Sequence, residues 1–383
     1  MRVACFRTFD DLAAYADDWQ RLAHGMPFRS WSWLTCWWRH YGPRSPSESA
    51  RRLAVLCVFD RSGRPAGIAP WYLEPSALHG RVLRALGSGE VCSDYLGVLC
   101  EPQRGDSVAE ALADYLVEPG RRTRPDALRW DLLDCEGIDA ADGDVAALAR
   151  SLSQAGCGTH RRTTANCWRL RLPTTWEDYL SGLGRNLRRD LRRLERNYLQ
   201  SNRAVLHVVQ SPSELPRAMD ILVELHQRRQ RVQGHPGCFT SPRFTAFYRE
   251  VVPEMFRHGQ LQFCWLELDA KPVAAEYQLL GDGILYAYQA GIDPDAIQHQ
   301  PGKLLNLAIL QRAIAGGYRE FDFLRGDEPY KASFGAQPRP SLAIRFVPQH
   351  AAAQLRHGLW LAGRNLKGWA RHSLRSRAKH TEK

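Results

Sequence analysis

Residues 290–334 read AGIDPDAIQHQPGKLLNLAILQRAIAGGYREFDFLRGDEPYKASF. The pattern predicts the end of a strand and a polar turn holding Pro301 and Gly302. A mostly apolar helix then runs to Gly316-Gly317, and a short strand, Glu320 to Leu324, follows it. Strand, glycine-bearing turn, helix, strand is a βαβ unit, and its turn leaves backbone N–H groups free at a helix start, where an anion can sit. The loop after the second strand crowds Asp322, Arg325, Asp327, Glu328, Tyr330 and Lys331 into ten positions. An anion cradle on one side and acid/base groups on the other make this stretch a candidate site.

Upstream, LQFCWLEL (261–268), KPVAAEYQLL (271–280) and ILYAYQAG (284–291) read as three strands joined by tight turns. Helices are expected over 176–183, 185–200, 215–232 and 242–258, with strands at 205–209 and 342–347. In the first half, 10–24 reads as helix, and PFRSWSWLTCWWRHY (27–41) places Trp31, Leu34 and Trp38 at helical spacing. A buried aromatic helix is the simpler reading there; a ligand platform is the alternative. LAVLCVFD (53–60) and RPAGIAPWYLE (64–74) form a hairpin signal around Arg61-Ser62-Gly63, with strands expected at 95–100 and 127–133 and helices at 108–117 and 146–154. The halves look like copies: 53–74 lines up with 261–280, and ALRWDLLDCEG (127–137) with YREFDFLRGDE (318–328), which aligns Asp131 with Asp322. They differ at the turn, where the first half has Gln103-Arg104-Gly105-Asp106 and the second Gln300-Pro301-Gly302-Lys303. An acid at a phosphate cradle is unfavourable, so the second half is expected to carry the chemistry. The expected domains are 1–165, 166–348 and a basic amphipathic tail, 349–383.

A length of 383 residues with 44% hydrophobic and 24% charged composition is globular and sufficient for two cores. No run of 18 uncharged apolar residues suggests a membrane span, and the N-terminus has acidic pairs where a signal peptide would be apolar. Ten cysteines are scattered without a C-x-x-C pair, which points to reduced thiols in a cytoplasmic protein rather than disulfides or zinc. Of the net charge of +11, the segment from Ala351 onward supplies eight Lys/Arg against one acid, and GRNLRRDLRRLERNYL (184–199) holds six arginines. The tail, with Leu355, Leu359, Trp360 and Trp369 among Arg356, Arg364 and Lys367, suits peripheral contact with an anionic membrane at its inner face; docking on the protein's own core and a disordered basic end are the alternatives. The arginine helix is read as a solvated face, with approach to an acidic substrate or nucleic acid as the less favoured reading.

The element order resembles the GNAT acetyltransferase core. It is similar in particular to the tandem-GNAT branch of CelD-like acetyltransferases, named for cellulose biosynthesis, and more remotely to the FemABX aminoacyl transferases. The residues that carry the resemblance are the 184–199 helix, LHQRR (225–229), KPVAAEY (271–277), QPGKLL (300–305) and FDFLRGDEPYK (321–331), and it spans most of 5–347. It implies two GNAT-like α/β (α+β) domains in tandem, each a mixed, mostly antiparallel twisted sheet flanked by helices. It also implies direct acyl transfer in a ternary complex, with no metal and no covalent enzyme intermediate. Where the family typically shows Gln/Arg-x-x-Gly-x-Gly/Ala, this chain has Gln298-His-Gln-Pro-Gly302-Lys303, so an acyl-carrier protein or aminoacyl-tRNA stays open beside acetyl-CoA or another acyl-CoA as donor.

Within that frame Gln300, Gly302, Lys303 and Leu304 are the expected donor contacts, through backbone N–H groups and one cation at a helix start, with Tyr288 as a donor wall. An ordinary helix entry is the alternative. Glu276, a carboxylate inside an apolar strand, must find a partner or rise in pKa, and a raised pKa suits a general base. Asp322 points away from Phe321 and Phe323 and would position the acceptor or orient Arg325. Tyr330 would protonate the leaving thiolate, and Lys331 would hold an anionic group. His226, Arg325 and Asp327 complete the set as acceptor contacts, His226 doubling as a candidate base. Zinc-hydrolase, serine-esterase and Walker patterns are lacking. The expected function is acylation, most simply N-acetylation, of an amine or hydroxyl on a sugar, polysaccharide or envelope precursor. Aminoacyl-tRNA-dependent transfer and a non-catalytic membrane- or nucleic-acid-binding module are the alternatives.

Overall fold

The computed structural model describes residues 1–43, 51–118 and 128–363. The second half is built on a seven-stranded sheet in the order Ala204–Val208, Leu261–Leu268, Lys271–Gly281, Ile284–Ile292, Glu320–Arg325, Cys167–Arg171, Gln337–Arg339. Its central hairpins close on two-residue turns in which both residues have positive φ: Asp269 (48°) and Ala270 (64°), then Asp282 (48°) and Gly283 (68°). Such left-handed pairs match the twist of the flanking strands, which is why these turns follow the expected positions closely. All neighbours are antiparallel except Ile284–Ile292 and Glu320–Arg325, which the helix Pro301–Ala315 connects as a parallel pair. Helices Leu215–Val232 and Pro242–Arg257 cover one face, against Ala275, Tyr277 and Leu279, and Pro301–Ala315 covers the other, against Ala274, Leu285 and Phe321.

The first half repeats this plan with its strands divided. One sheet runs Arg2–Phe6, Val55–Phe59, Pro65–Ala69, Leu99–Cys100, and the other runs Arg52–Leu53, Trp71–Ser76, Gly80–Ala85, Leu132–Asp139, Ser341–Val347, Gly158–Thr163. The expected 64–74 strand therefore breaks at Pro70, which has no N–H to give a ladder, and the chain passes from one sheet to the other there. The architecture is the mixed, mostly antiparallel arrangement flanked by helices that the sequence implies. The strand Ser341–Val347 returns from the second half to pair with Leu132–Asp139 and Gly158–Thr163.

Four expectations shift. The 127–133 strand lies instead at Leu132–Asp139, its first expected residue falling outside the described range. Of the 95–100 strand only Leu99–Cys100 pairs, because Tyr95 leaves the ladder with φ 57° and sends its hydroxyl to Asp322. The 185–200 helix is α-helical to Leu194 and then widens into a π turn, Glu195–Leu199. The alignment of Asp131 with Asp322 is not the one the ladders give: the third rung of each parallel pair matches Arg84 with Asp134 and Tyr286 with Asp322.

The aromatic helix Trp31–Tyr41 is buried as expected, but on a wider arc. Trp33 and Trp37 are fully enclosed, while Trp31 and Trp38 are half-buried. The reason is a second partner: the helix lies between its own sheet and helix Pro242–Arg257. Trp33 meets Phe247 edge-on with centroids 5.2 Å apart and Tyr288 at the same distance. One apolar core thus runs through both halves, from Trp19 to Tyr286. Each such large side chain contributes on the order of 2–3 kcal/mol by burial.

Among the described residues no helix is long and apolar enough to cross a membrane. The first turns of the tail, 351–363, are helical and lie against the first half: Trp360 stacks on His357, with centroids 5.4 Å apart, under the Arg345 guanidinium. Leu355 and Leu359 face solvent on that segment. The amphipathic pattern expected beyond it, through Leu366 and Trp369, lies outside the described residues.

Candidate active site

The parallel pair Ile284–Ile292 and Glu320–Arg325 shares three rungs, ending at Tyr286–Asp322, and then parts. The neighbouring strand helps to open the gap, because a bulge at Tyr277/Gln278 shifts the register opposite Ala287 and Gln289. Strand ends that diverge leave a crevice at their carboxyl edge, where α/β sheets take ligands. Here it is a cavity of ≈360 Å³ lined by Ala287, Tyr288 and Gln289 from one strand and Phe323, Leu324 and Arg325 from the other. Helix Leu215–Val232 adds His226, the loop after it Cys238, and the first half Glu90, Cys92 and Asp94.

His226 is the best-placed proton acceptor in this cavity. Its Nδ1 lies 3.0 Å from both the Ala290 carbonyl and Gln289 Nε2; donating to the carbonyl puts the proton on Nδ1 and leaves a lone pair on Nε2, whereas accepting from the amide gives the reverse tautomer. Burial holds the ring below its ordinary pKa, with Arg229 adding to the effect and the hydrogen bond to Ala290 opposing it. The ring is therefore neutral near pH 7. Its Nε2 faces the Cys238 thiol at 3.4 Å, and the Gln289 side-chain amide sits 3.0 Å from Nδ1.

Asp322 faces away from Phe321 and Phe323, as expected, and is completely enclosed. Its carboxylate accepts from the Tyr95 hydroxyl, from Arg169 Nε at 2.9 Å and from the Leu324 N–H at 2.8 Å. Burial pushes its pKa up, against the pull of Arg169, Tyr95 and the Leu324 N–H. Arg325 does not meet Asp322; it pairs with the equally buried Asp94 of the first half, Nε to Oδ1 at 2.8 Å. Both carboxylates tie the halves together, Asp94 from the cavity wall and Asp322 from the enclosed strand position next to Phe323.

The cavity rim carries strain. Leu324 has φ 56°, a left-handed conformation that costs a bulky residue of order 1–3 kcal/mol. Lys331, only 2% exposed, holds the turn in place: its ammonium donates to the carbonyls of Leu324 at 3.2 Å and of Arg325 and Gly326 at 3.1 Å each, and pairs with Glu328 at 2.9 Å. Tyr330, 45% exposed, sits beside Phe323 with centroids 5.9 Å apart. Asp327 is turned outward, accepting from Asn166 and Trp168. Glu276 is buried and accepts from Gln278 Nε2 at 2.7 Å; burial raises its pKa to about 7, that hydrogen bond opposing. It is not among the residues lining this cavity.

At the start of helix Pro301–Ala315, Gln300 is left-handed (φ 55°) and Pro301 occupies the first helical position, leaving the N–H groups of Gly302 and Lys303 without partners inside the helix. Gly302 also serves packing, since a Cβ there would meet Ile292 Cδ1 at 2.7 Å. Leu304 is fully buried in the core. Lys303 is already paired with Asp190 at 2.5 Å. The surrounding cavity of ≈740 Å³ is nonetheless basic, Arg189, Arg193, Arg196 and Lys303 facing Asp190 alone, with Asn186 and Ser333 on its wall. Arg189 and Arg196 form no ion pair among the described residues. Tyr288 stands on the other cavity's wall, its hydroxyl donating to the Val91 carbonyl.

Of the expected set, then, Tyr288, His226 and Arg325 share the splay cavity, Asp322, Tyr330 and Lys331 support it, and Lys303 lies in the basic one. Sequence reasoning missed Cys238, Gln289, Asp94, Tyr95 and Arg169. The positive-φ Tyr95 and the lone Cys238 left no periodic or motif signal, and the six arginines were legible only as a face.

Residues 185–332 match the family model described as acetyltransferase (GNAT) domain. Among solved structures, the chain is similar to FemX, with a TM-score of 0.60 at 10% identity over 93% of this chain and 99% of that one. It is similar to a conserved protein of unknown function from Bacteroides thetaiotaomicron VPI-5482, with a TM-score of 0.55 at 12% identity over 90% and 100%. It is also similar to a C-terminal domain named for lysylphosphatidylglycerol synthetase from Agrobacterium fabrum, with a TM-score of 0.51 at 14% identity over 91% and 95%. At these identities the likeness is one of fold. A search of the curated proteins finds no match.

Proposed function

We propose that this chain is an acyltransferase that moves an acetyl or other acyl group from acyl-CoA to an amine or hydroxyl of a sugar, polysaccharide or envelope precursor. The observation that carries the reading is the pairing of two cavities on one βαβ unit within the 185–332 domain match. One lies at a strand splay and holds a neutral histidine; the other lies at the connecting helix start and is lined by arginines.

In this reading the donor's phosphates lie at the N–H groups of Gly302 and Lys303 with Arg189 and Arg196, the two cations not already spent on Asp190. Its acyl group reaches into the gap between the strands, where backbone groups of residues 287–289 have no rung across the gap to compete for the carbonyl oxygen. His226 Nε2 takes the proton released at the reacting centre; positioned general bases contribute roughly 10²–10⁴-fold. Asp322, Lys331 and Arg325 are positioning residues, Tyr330 stands at the rim, and no metal is needed.

The donor assignment is tested by titrating acetyl-CoA into wild type and the Arg189→Glu/Arg196→Glu double variant. Two lost charge-assisted contacts should weaken binding by at least about 100-fold, at roughly 1.5–3 kcal/mol each. Equal affinity in both proteins would remove the phosphates from this pocket. A second reading, aminoacyl-tRNA-dependent transfer, is favoured by the arginine face, where Arg185, Arg189, Arg192, Arg193 and Arg196 are exposed together. In that case tRNA, and not acetyl-CoA, would protect this helix.

A further inference from the structure

We propose that Cys238 is a nucleophile and that the acyl group passes through a thioester on its sulfur, with His226 as the base that activates it. The proposal rests on the acyl-transfer reading above and departs from the direct transfer that the family resemblance implies. Three observations carry it. Cys238 and His226 come from different elements, a helical turn Cys238–Thr240 and the helix Leu215–Val232, yet both line the splay cavity with Sγ and Nε2 at 3.4 Å. In the tautomer the proposal uses, His226 Nδ1–H donates to the Ala290 carbonyl, Gln289 Nε2 gives its hydrogen to the Cys238 sulfur, and His226 Nε2 is the acceptor for the thiol. A donor also faces the sulfur: the Gln289 amide nitrogen lies 3.5 Å from Sγ, and the backbone N–H groups of Cys238 and Phe239 oppose the burial that keeps the thiol protonated.

This constellation has the general form of an activated nucleophile, a thiol beside a base that a third group orients. Burial raises the thiol to about 12, so the resting pair is neutral and the proton must move during attack. Cys92 supplies an internal contrast. It lines the same cavity and is exposed, but no imidazole is within hydrogen-bonding reach of its sulfur among the described residues.

The step balances without a further reactant. His226 Nε2 takes the Cys238 proton as sulfur bonds to the acyl carbon. The donor's C–S bond then breaks, and its thiolate leaves with the proton returned from Nε2. In the second half-reaction the acceptor's nitrogen or oxygen attacks the Cys238 thioester and gives its proton to Nε2, and the Cys238 thiolate leaves and is reprotonated.

The test is to incubate the full chain with acetyl-CoA alone, and separately with p-nitrophenyl acetate, to quench in acid and to map acetylated cysteines by peptide mass spectrometry. Release of free thiol from acetyl-CoA is followed in parallel. The expected result is acetyl on Cys238 and not on Cys92, loss of the adduct in Cys238→Ala and in the near-isosteric Cys238→Ser, and labelling slowed about 100-fold in His226→Gln. The proposal is overturned if Cys92 is acetylated and Cys238 is not, or if folded Cys238→Ser releases thiol from acetyl-CoA at the wild-type rate. In the latter case the acyltransferase reading stands and transfer is direct. If p-nitrophenyl acetate labels Cys238 while acetyl-CoA is neither bound nor consumed, the proposal stands and the coenzyme A assignment falls.

Discussion

Replacing Lys331 by methionine should lower the unfolding free energy by about 3 kcal/mol or more and abolish any measurable transfer. The reason is geometric. Methionine keeps most of the aliphatic stem but removes the ammonium that three carbonyls, of Leu324, Arg325 and Gly326, converge on. A buried acceptor left without a donor costs roughly 1–3 kcal/mol, and three neighbouring ones do not add fully. The loss falls where the backbone is already strained, at Leu324, so the turn should relax and carry Phe323 and Arg325 out of the cavity wall. Arginine should not rescue the variant, because a planar fork cannot meet three carbonyls as a compact ammonium does. Urea unfolding of wild type, Lys331→Met and Lys331→Arg measures this. A methionine variant as stable as wild type would mean that the clamp contributes nothing.

The second large effect concerns pH. The Glu276 carboxyl, raised by burial from its ordinary 4.5 to about 7, binds its proton more tightly in the folded chain than in the unfolded one. Its contribution to stability is therefore fully present below about pH 4.5 and is lost as pH rises through 7. A gap of that size corresponds to about 3 kcal/mol between pH 4 and pH 8. Glu276→Gln keeps the shape, still accepts from Gln278 through its amide oxygen, and removes the titration. The variant should match wild type near pH 4 or below and exceed it by about 2–3 kcal/mol at pH 8. Asp322 and Asp94 are also raised by burial, so wild type alone cannot isolate the effect and the difference between the two proteins is the quantity to follow. Parallel stability–pH curves for the two proteins would show that Glu276 is not titrating in this range.

What the sequence made legible was local. Alternating apolar strands punctuated by Asp269-Ala270 and Asp282-Gly283 fix the second-half hairpins, and the glycine- and proline-bearing turn before Leu304 fixes the connecting helix. The rest depends on meetings across the chain. Asp94 reaches Arg325 across 231 residues and Tyr95 reaches Asp322 across 227, and neither partner advertises the other. Strand Gly158–Thr163 escaped because its sequence, GTHRRT, is polar throughout and lies at a sheet edge, with no apolar alternation to read. Lys331 was conspicuous in the sequence as one of a cluster of charges, but where its ammonium goes is decided by the left-handed turn at Leu324, which an ordinary leucine does not signal. Cys238 and His226 are only 12 residues apart, yet a loop separates them and no periodicity relates them.

The central claim is that the donor lies along the second-half βαβ unit, with its phosphates in the arginine pocket and its acyl group in the strand splay. Hydrogen–deuterium exchange with and without saturating acetyl-CoA tests this directly, because the first half offers a competing basic cavity of ≈880 Å³ lined by Arg81, Arg129, His350 and Arg356. The expected result is protection confined to peptides covering 185–199, 287–305 and 323–333. Protection at 75–81, 129–131 and 350–356 instead, or none anywhere, would contradict the account.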